Sequence, residues 1–213
     1  MHALVIDDDG FVRFLLVRAL QDFGFASVDD AASAAEGMRL AKVRKPSLAI
    51  LDLDLGAGPT GIDVAYGLRK AHPEIAIVIL SSYRDPRLLG ANRELPDGSV
   101  YLSKRDVGDV TVLQRAITEV LESPRGRRQG APEATVAGRR LSDNQVEIMR
   151  LVAEGFSNAE IARRRHLSEP AVEKAIARLI KQLELTPGRT DNARVLITQE
   201  YYSLIGATQV RRE

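Results

Sequence analysis

The sequence predicts two folds in one chain: an α/β domain built on a parallel sheet, followed by a smaller all-α domain. Three observations predict it. Apolar runs of strand length alternate with helical periodicity as far as Leu121. Those runs lack polar alternation, as expected of strands covered on both faces. Beyond Ser123 the strand pattern stops, and only helical spacing follows.

The elements follow in order. Ala3–Ile6 is a short apolar run that stops at Asp7, Asp8 and Asp9. Phe11 to Phe23 has helical spacing, with Phe11, Phe14, Leu15, Arg18 and Leu20 on the recurring positions. Gly24 is placed to end that helix. Ser33-Ala-Ala-Glu36 reads as a capping box that opens a second helix toward Lys45, and Pro46 closes it. Leu48–Leu51 is a second strand, ending at Asp52. A Gly- and Pro-rich loop from Gly56 to Gly61 precedes a helix over Ile62–Ala71, stopped by His72-Pro73. Ile75–Leu80 is a third strand, ending at Ser81-Ser82. Val100–Leu102 is a fourth, ending at Ser103-Lys104, and Asp109–Leu121 is an amphipathic helix. Between Ser82 and Val100 the residues Pro86, Gly90, Pro96 and Gly98 leave the helix poorly defined.

Ser123-Pro-Arg-Gly-Arg-Arg-Gln-Gly-Ala-Pro has the composition of a linker. Helices are then expected over Ser142–Glu154, Asn158–Arg165, Glu169–Leu183 and Asp191–Tyr202, with Ser142, Asn158, Ser168 and Asp191 as caps. The expected boundaries are 1–122 and 140–205 for the domains, 123–139 for a flexible linker and 206–213 for a tail.

Composition bounds the function classes. The 213 residues include no cysteine, which excludes disulfides, thiolate metal sites and cysteine nucleophiles. No apolar run is long enough for a membrane span, and the N-terminus is unlike a secretory signal. A cytoplasmic protein is expected. Net charge is +1, but it is unevenly spread. Residues 1–122 carry 14 Lys/Arg against 18 Asp/Glu, and residues 123–213 carry 16 against 11. The basic second half suits nucleic acid.

Polar residues cluster where the strands end: Asp7–Asp9, Asp52 and Asp54, Ser81 and Ser82, and Lys104. In an open parallel sheet, ligands bind outside the carboxyl ends of the strands. Carboxylates gathered there repel one another and favour a hard cation, and an all-oxygen set suits Mg²⁺. A neighbouring lysine can neutralise phosphoryl oxygens, and a hydroxyl can donate to one. An aspartate can accept a phosphoryl group covalently. The combined chemistry is metal-assisted phosphoryl transfer to a carboxylate. Asp7–Asp9 can also cap the following helix, a role compatible with metal binding.

The stretches Ala3-Leu-Val-Ile-Asp-Asp-Asp, Leu48-Ala-Ile-Leu-Asp-Leu-Asp-Leu, Val78-Ile-Leu-Ser-Ser and Val100-Tyr-Leu-Ser-Lys resemble the receiver domains of two-component response regulators. The resemblance implies a doubly wound, five-stranded, flavodoxin-like fold. It implies Asp7 and Asp8 as the Mg²⁺-holding pair, Asp52 as phosphoacceptor and metal ligand, and Asp54 as a backbone-carbonyl ligand. It implies Ser81 as switch hydroxyl, Lys104 as the phosphate-contacting lysine and Tyr101 as switch aromatic. This chain departs from the pattern in four ways. The loop after Asp52 is one residue longer, Ser stands at 81 for the more frequent Thr, Arg105 follows Lys104, and the stretch after Ser82 is irregular. Asp52-Leu-Asp54 also resembles the Asp-x-Asp motif of haloacid-dehalogenase-type phosphatases. That family carries its motif on the first strand, whereas here an earlier strand already supplies Asp7-Asp8. A regulator is therefore expected, not an enzyme.

In the second half, Gly155-Phe-Ser-Asn-Ala-Glu-Ile-Ala followed by Leu167-Ser-x-x-x-Val172 resembles the LuxR-type helix-turn-helix of NarL/FixJ response regulators. The resemblance implies four helices, the third of which enters the DNA major groove. On that helix Lys174, Arg178 and Lys181 share a face, Ser168 precedes it, and Asn158 lies on the helix before. These five are the expected DNA contacts. The Asp191–Tyr202 helix, through Val195, Leu196, Gln199 and Tyr202, is the expected homodimer surface, or else only a lid on the core. A sensor histidine kinase and operator DNA are the implied partners. A regulator of the same build that binds DNA without phosphorylation is the alternative.

Overall fold

The computed structural model describes residues 1–83, 85–90, 94–123, 135–136, 139–185 and 192–205. They divide into two compact units. The first comprises Met1–Ser82 with Ala91–Ala131, and the second comprises Tyr83–Gly90 with Pro132–Glu213.

The first unit is a parallel sheet of five strands: β1 His2–Ile6, β2 Ser27–Ala31, β3 Leu48–Asp52, β4 Ala76–Ser81 and β5 Ser99–Ser103. Their order is β2-β1-β3-β4-β5, and every pairing is parallel. Among the described residues, four α-helices accompany them: α1 Gly10–Asp22, α2 Ala34–Arg44, α3 Gly61–Ala71 and α4 Val110–Glu122. Alternate strand residues point to opposite faces. Ala3, Val5, Leu48, Ile50, Ala76, Val78 and Val100 pack with Leu16 and Leu20 of α1 and with Leu113 and Ile117 of α4. Leu4, Ile6, Leu51, Ile77 and Ile79 are equally buried on the other side. There Gly37 of α2 lies so close to Ile6 that a Cβ would stand 2.0 Å from its Cδ1.

Sheet topology positions the site. From β1 the chain moves outward to β2, then crosses back to β3 on the other side of β1. The carboxyl ends of β1 and β3 therefore adjoin where the winding direction reverses, which is where open sheets bind ligands.

Several local expectations need correction. Ser27–Ala31 is a strand that the apolar pattern does not signal. It is an edge strand with a single neighbour, so it tolerates Asp29 and Asp30. Helix α1 forms where its spacing predicts, but Phe11, Phe14 and Leu15 are exposed while Leu16 and Leu20 face the core. Ser33 accepts from the Glu36 amide, but the Glu36 carboxylate reaches the Ala32 amide, so the box is only half closed. Thr60 and Asp63 at the start of α3 do close such a box. Asp52 and Ser81 are the last residues of their strands, not the first beyond them.

The second unit contains α5 Asp143–Ala153, α6 Asn158–Arg165, α7 Glu169–Gln182 and α8 Ala193–Leu204. Its core buries Val146, Met149, Ile161, Val172, Ile176 and Leu179 together. After α5 the Gly155 amide donates to the Val152 carbonyl and the Phe156 amide to that of Leu151. Gly155 adopts φ +87° there, a reversal that glycine accommodates without a Cβ penalty. Ser142 caps α5 as expected, but two other caps differ by one residue. Ser157, not Asn158, caps α6, and Asn192 caps α8, Asp191 lying outside the described residues. Ser168 precedes α7 in extended conformation, but its side chain makes no capping bond. Within the span read as linker, Thr135–Val136 pairs antiparallel with Arg139–Arg140 to form β6 and β7. The rest of that span, 124–134 and 137–138, and the tail 206–213 lie outside the described residues.

Among the described residues of the irregular stretch after Ser82, Pro86–Leu89 forms a short 3-10 turn. The turn belongs to the second unit. Leu88 is fully buried in the core of that unit, and Tyr201 Oη of α8 donates to the Leu88 carbonyl at 2.8 Å. Arg87 grips Asp85 through several bonds, the shortest 2.7 Å, and reaches Asp143 at the start of α5 at 2.5 Å.

Candidate functional site

At the carboxyl edge of the sheet, Asp7, Asp8 and Asp52 each place a carboxylate oxygen within 4.8 Å of the others. Asp7 and Asp52 are buried, and Asp8 is exposed. Strand ends explain the placement. β1 delivers Asp7 and Asp8 into the turn before α1, and β3 ends on Asp52 in register with Leu80 of β4.

Lys104 follows β5, and its Nζ lies 2.7 Å from Asp7 Oδ2 and 2.9 Å from Asp52 Oδ2. Its backbone amide donates to the Ser81 carbonyl at 2.7 Å, which fixes the base of its side chain. Asp7 Oδ1 accepts from the Asp9 amide at 2.9 Å. Asp7 Oδ2 is buried, and among the described residues its close polar contact is the Lys104 ammonium. Asp52 Oδ1 accepts a long bond from the Asp54 amide, 3.4 Å.

Burial pushes the Asp52 carboxyl up to about 6, against the opposing pull of the Lys104 hydrogen bond and charge. The Lys104 ammonium is held above its ordinary range. Burial disfavours its charge, but the bonds to Asp7 and Asp52 together outweigh burial. The pair thus favours the ammonium form of Lys104 while leaving Asp52 short of countercharge. A buried carboxylate cluster with more negative than positive charge is an environment that a cation would complete.

Ser81 is fully buried at the end of β4, beside Ser103 of β5. Tyr101 is also buried, opposite Ile79. Asp54 is half-buried, and its own carboxylate accepts from the Gly56 amide. The structure brings Asp7, Asp8, Asp52 and Lys104 into one cluster, with Ser81 tied to it through the backbone of Lys104.

Two contributors escaped sequence reasoning. Gly61, the first residue of α3, approaches the Asp52 backbone so closely that a Cβ would stand 2.0 Å from its carbonyl oxygen. Glycine alone permits that approach. Arg13 of α1 donates to the Asp7 and Asp8 carbonyls at 2.7 and 3.1 Å. Neither is signalled by residue type or spacing: Arg13 acts through backbone carbonyls, and Gly61 closes a loop already rich in glycine.

The second unit carries a basic face. Glu173, Lys174, Arg178 and Lys181 of α7 are exposed, opposite buried Val172, Ile176 and Leu179. Among the described residues no ion pair engages Lys174, Arg178 or Lys181. Ser168 is exposed ahead of them. The arginines of α6 are partly occupied: Glu160 pairs with Arg163 and with Arg164, the latter at 2.7 Å. Asn158 is half-buried, and its Oδ1 accepts from Arg194 of α8 at 2.8 Å. On α8, Val195 and Tyr202 are exposed, Leu196 is half-buried, and Tyr201 seals the core.

Comparison with known proteins agrees with both halves. Residues 3–105 match the response regulator receiver domain, and residues 139–196 match the bacterial regulatory proteins of the luxR family. The chain is 28% identical to the oxygen regulatory protein NreC of Staphylococcus carnosus over 87% of its length and 92% of that protein's. It is 29% identical to the DNA-binding transcriptional activator DevR/DosR of Mycobacterium tuberculosis, covering 93% and 94%. Among solved structures it is similar to RcsB of Salmonella enterica serovar Typhimurium bound to the rprA promoter, with TM-score 0.54, 21% identity and coverage of 95% and 98%. It is also similar to RcsB in a structure of two dimers on two parallel DNAs, with TM-score 0.57, 20% identity and coverage of 96% and 98%. Sheet order, helical second unit and the two matched families agree, and the chain belongs to the two-component response regulators that join a receiver domain to a LuxR-type DNA-binding domain.

Proposed function

We propose that Asp52 is phosphorylated by a sensor histidine kinase or a small phosphodonor, and that the modified protein regulates transcription by binding operator DNA. The observation that carries this reading is the convergence of Asp7, Asp8 and Asp52 around one lysine at the sheet edge. In the transfer an Asp52 oxygen attacks phosphorus and forms an O–P bond. The donor's P–N bond (phosphohistidine) or P–O bond (acyl phosphate) breaks, and the leaving group departs with the electron pair. Lys104 then turns its ammonium to a phosphoryl oxygen, and the Ser81 hydroxyl donates to another. Tyr101 repacks with the switch.

The oxygen-only donor set fits Mg²⁺, held by Asp7, Asp8, Asp52 and the Asp54 carbonyl. When bound, Mg²⁺ supplies the positive charge that offsets the phosphoryl oxygens.

On the DNA side, α7 lies in the major groove. Lys174 meets a base edge or phosphate, and Arg178 and Lys181 meet the backbone. Ser168 donates to a phosphate, and Asn158 offers the amide nitrogen that its bond to Arg194 leaves available. By chain order the receiver spans 1–122 and the DNA-binding domain 140–205, although Tyr83–Gly90 belongs to the second compact unit. RcsB, a fold relative, is found bound to promoter DNA and as dimers. A homodimer of this chain, paired through α8, would match an operator of two half-sites. The absence of any described helix long and apolar enough to cross a membrane is compatible with a cytoplasmic regulator.

Acetyl phosphate with Mg²⁺ should add one phosphate to the wild-type chain and none to Asp52→Asn, read by intact-mass measurement. Operator binding should then tighten for wild type alone. Phosphate on Asp52→Asn, or DNA affinity indifferent to the donor, would sink the reading.

A further inference from the structure

We propose that Arg13 is a positioning residue for the acidic site, holding the turn that presents Asp7 and Asp8 and locking it to β2 through Asp30. This rests on the reading of those acids as a Mg²⁺ site.

The β1 pairing with β2 and β3 runs only to Ile6. The last link beyond it is the Asp7 amide to the Ala31 carbonyl at 3.2 Å. The carbonyls of Asp7 and Asp8 therefore lie past the ladder. Arg13, in the first turn of α1, closes both with one nitrogen: Nη1 donates at 2.7 Å to Asp7 and 3.1 Å to Asp8. Its Nε donates to Asp30 Oδ2 at 3.0 Å, and its side chain is only 18% exposed. One planar group thus joins the acidic turn to the neighbouring strand.

Asp8 shows why such a clamp is needed. Asp7 is fixed independently, through the Asp9 amide on one oxygen and Lys104 on the other. The Asp8 carboxylate is exposed and takes no hydrogen bond among the described residues. Its place beside Asp7 and Asp52 is set by its backbone, and Arg13 holds that backbone. The three carboxylates repel, so an unclamped turn would splay them in the absence of a cation. A guanidinium suits the task because its charge does not titrate and its fork bonds two directions at once. An ammonium offers a point charge without that geometry.

The expected signature is a loss of metal affinity that saturating metal repairs. Mg²⁺ binding to the full chain would be measured by titration calorimetry for wild type, Arg13→Ala, Arg13→Lys and Asp30→Asn. Acetyl-phosphate phosphorylation would be followed across Mg²⁺ concentrations, with melting temperatures in EDTA alongside. Removing a group that orients metal ligands typically weakens binding about tenfold or more. Arg13→Ala and Arg13→Lys should both show that loss, and Asp30→Asn a smaller one, while high Mg²⁺ restores the phosphorylation rate. Unchanged Mg²⁺ affinity in these variants, or full rescue by lysine, would overturn the proposal. A maximal rate that stays low at saturating Mg²⁺ would do the same. Asp30→Asn leaves the carbonyl bonds in place, so the link can be tested even if Arg13→Ala fails to fold. A wild-type chain that binds no Mg²⁺ would remove the underlying reading itself.

Discussion

The two units close their cores by different routes. The first buries Leu4, Ile6, Ile50, Val78 and their neighbours from strands that follow one another through a regular βα alternation. The second cannot be assembled from one continuous stretch. Its helical core includes Leu88, which precedes α5 in the chain by more than a strand and a helix. The residues on both sides of Tyr83–Gly90 belong to the first unit. A domain boundary drawn by sequence style at Ser123 therefore does not describe which residues share a core. The difference also separates what local rules can build from what only tertiary packing can. The acidic edge follows from strand ends, whereas the Leu88 contact follows from no local signal.

The largest expected effect tests that contrast directly. Leu88→Ala should cost the second unit about 2–5 kcal/mol, the usual range for truncating a fully buried leucine. Hydrogen exchange should localise the loss to α5 and α8, with β1, β3 and β4 unaffected. A fragment beginning at Pro132 lacks Leu88 altogether and should melt below the same helices in the full chain. Equal protection of α5 and α8 in Leu88→Ala would mean that the turn only rests on the unit and does not complete it.

A second effect belongs to the first unit. Asp52 has its carboxyl raised from 3.8 to about 6, with burial the largest cause. The folded chain thus holds a proton that the unfolded chain releases between those values, and stability falls as pH rises through that window. The shift corresponds to about 3 kcal/mol at most. Lys104 runs the other way. Its raised pKa stabilises the fold at all pH below its ordinary value, and that contribution is lost only in strong alkali. Urea melts in EDTA from pH 4 to 7 should show the decline for wild type and a flatter profile for Asp52→Asn. Identical profiles would place the carboxyl near its ordinary value and remove the electrostatic argument for a cation.

Legibility in the sequence followed the same division. Asp7, Asp8, Asp52, Ser81 and Lys104 were readable because each ends an apolar run, and a parallel sheet gathers such ends at one edge. β2 was not readable. As an edge strand it carries Asp29 and Asp30, which pair with His2 and Arg44 and with Arg13 and so escape the apolar pattern. The spacing of α1 gave a helix but not its buried face, because Phe11 and Phe14 keep the period while facing outward. Arg13 could not be found from spacing, since its partners are backbone carbonyls five and six residues away and a carboxylate on another strand. The exposed basic face of α7 was readable, because period 3.6 alone separates Val172, Ile176 and Leu179 from Lys174, Arg178 and Lys181.

The smallest effect isolates one bond within the Leu88 contact. Tyr201 is buried, and its Oη donates to the Leu88 carbonyl at 2.8 Å. Burial pushes its phenol up to about 12, so the hydroxyl stays a donor throughout the physiological range. Tyr201→Phe keeps the ring and its packing but leaves the carbonyl without that donor. The cost should be about 1 kcal/mol, the net worth of a neutral hydrogen bond. Combined with Leu88→Ala, it should add less than its separate cost, because the two changes act on one contact. Simple additivity in a double-mutant cycle, read by urea melts of the full chain, would show that the hydroxyl bond and the buried side chain act independently. The Leu88 side chain and the Leu88 carbonyl would then be independent attachments, and the turn would be fixed to the helical unit at two points instead of one.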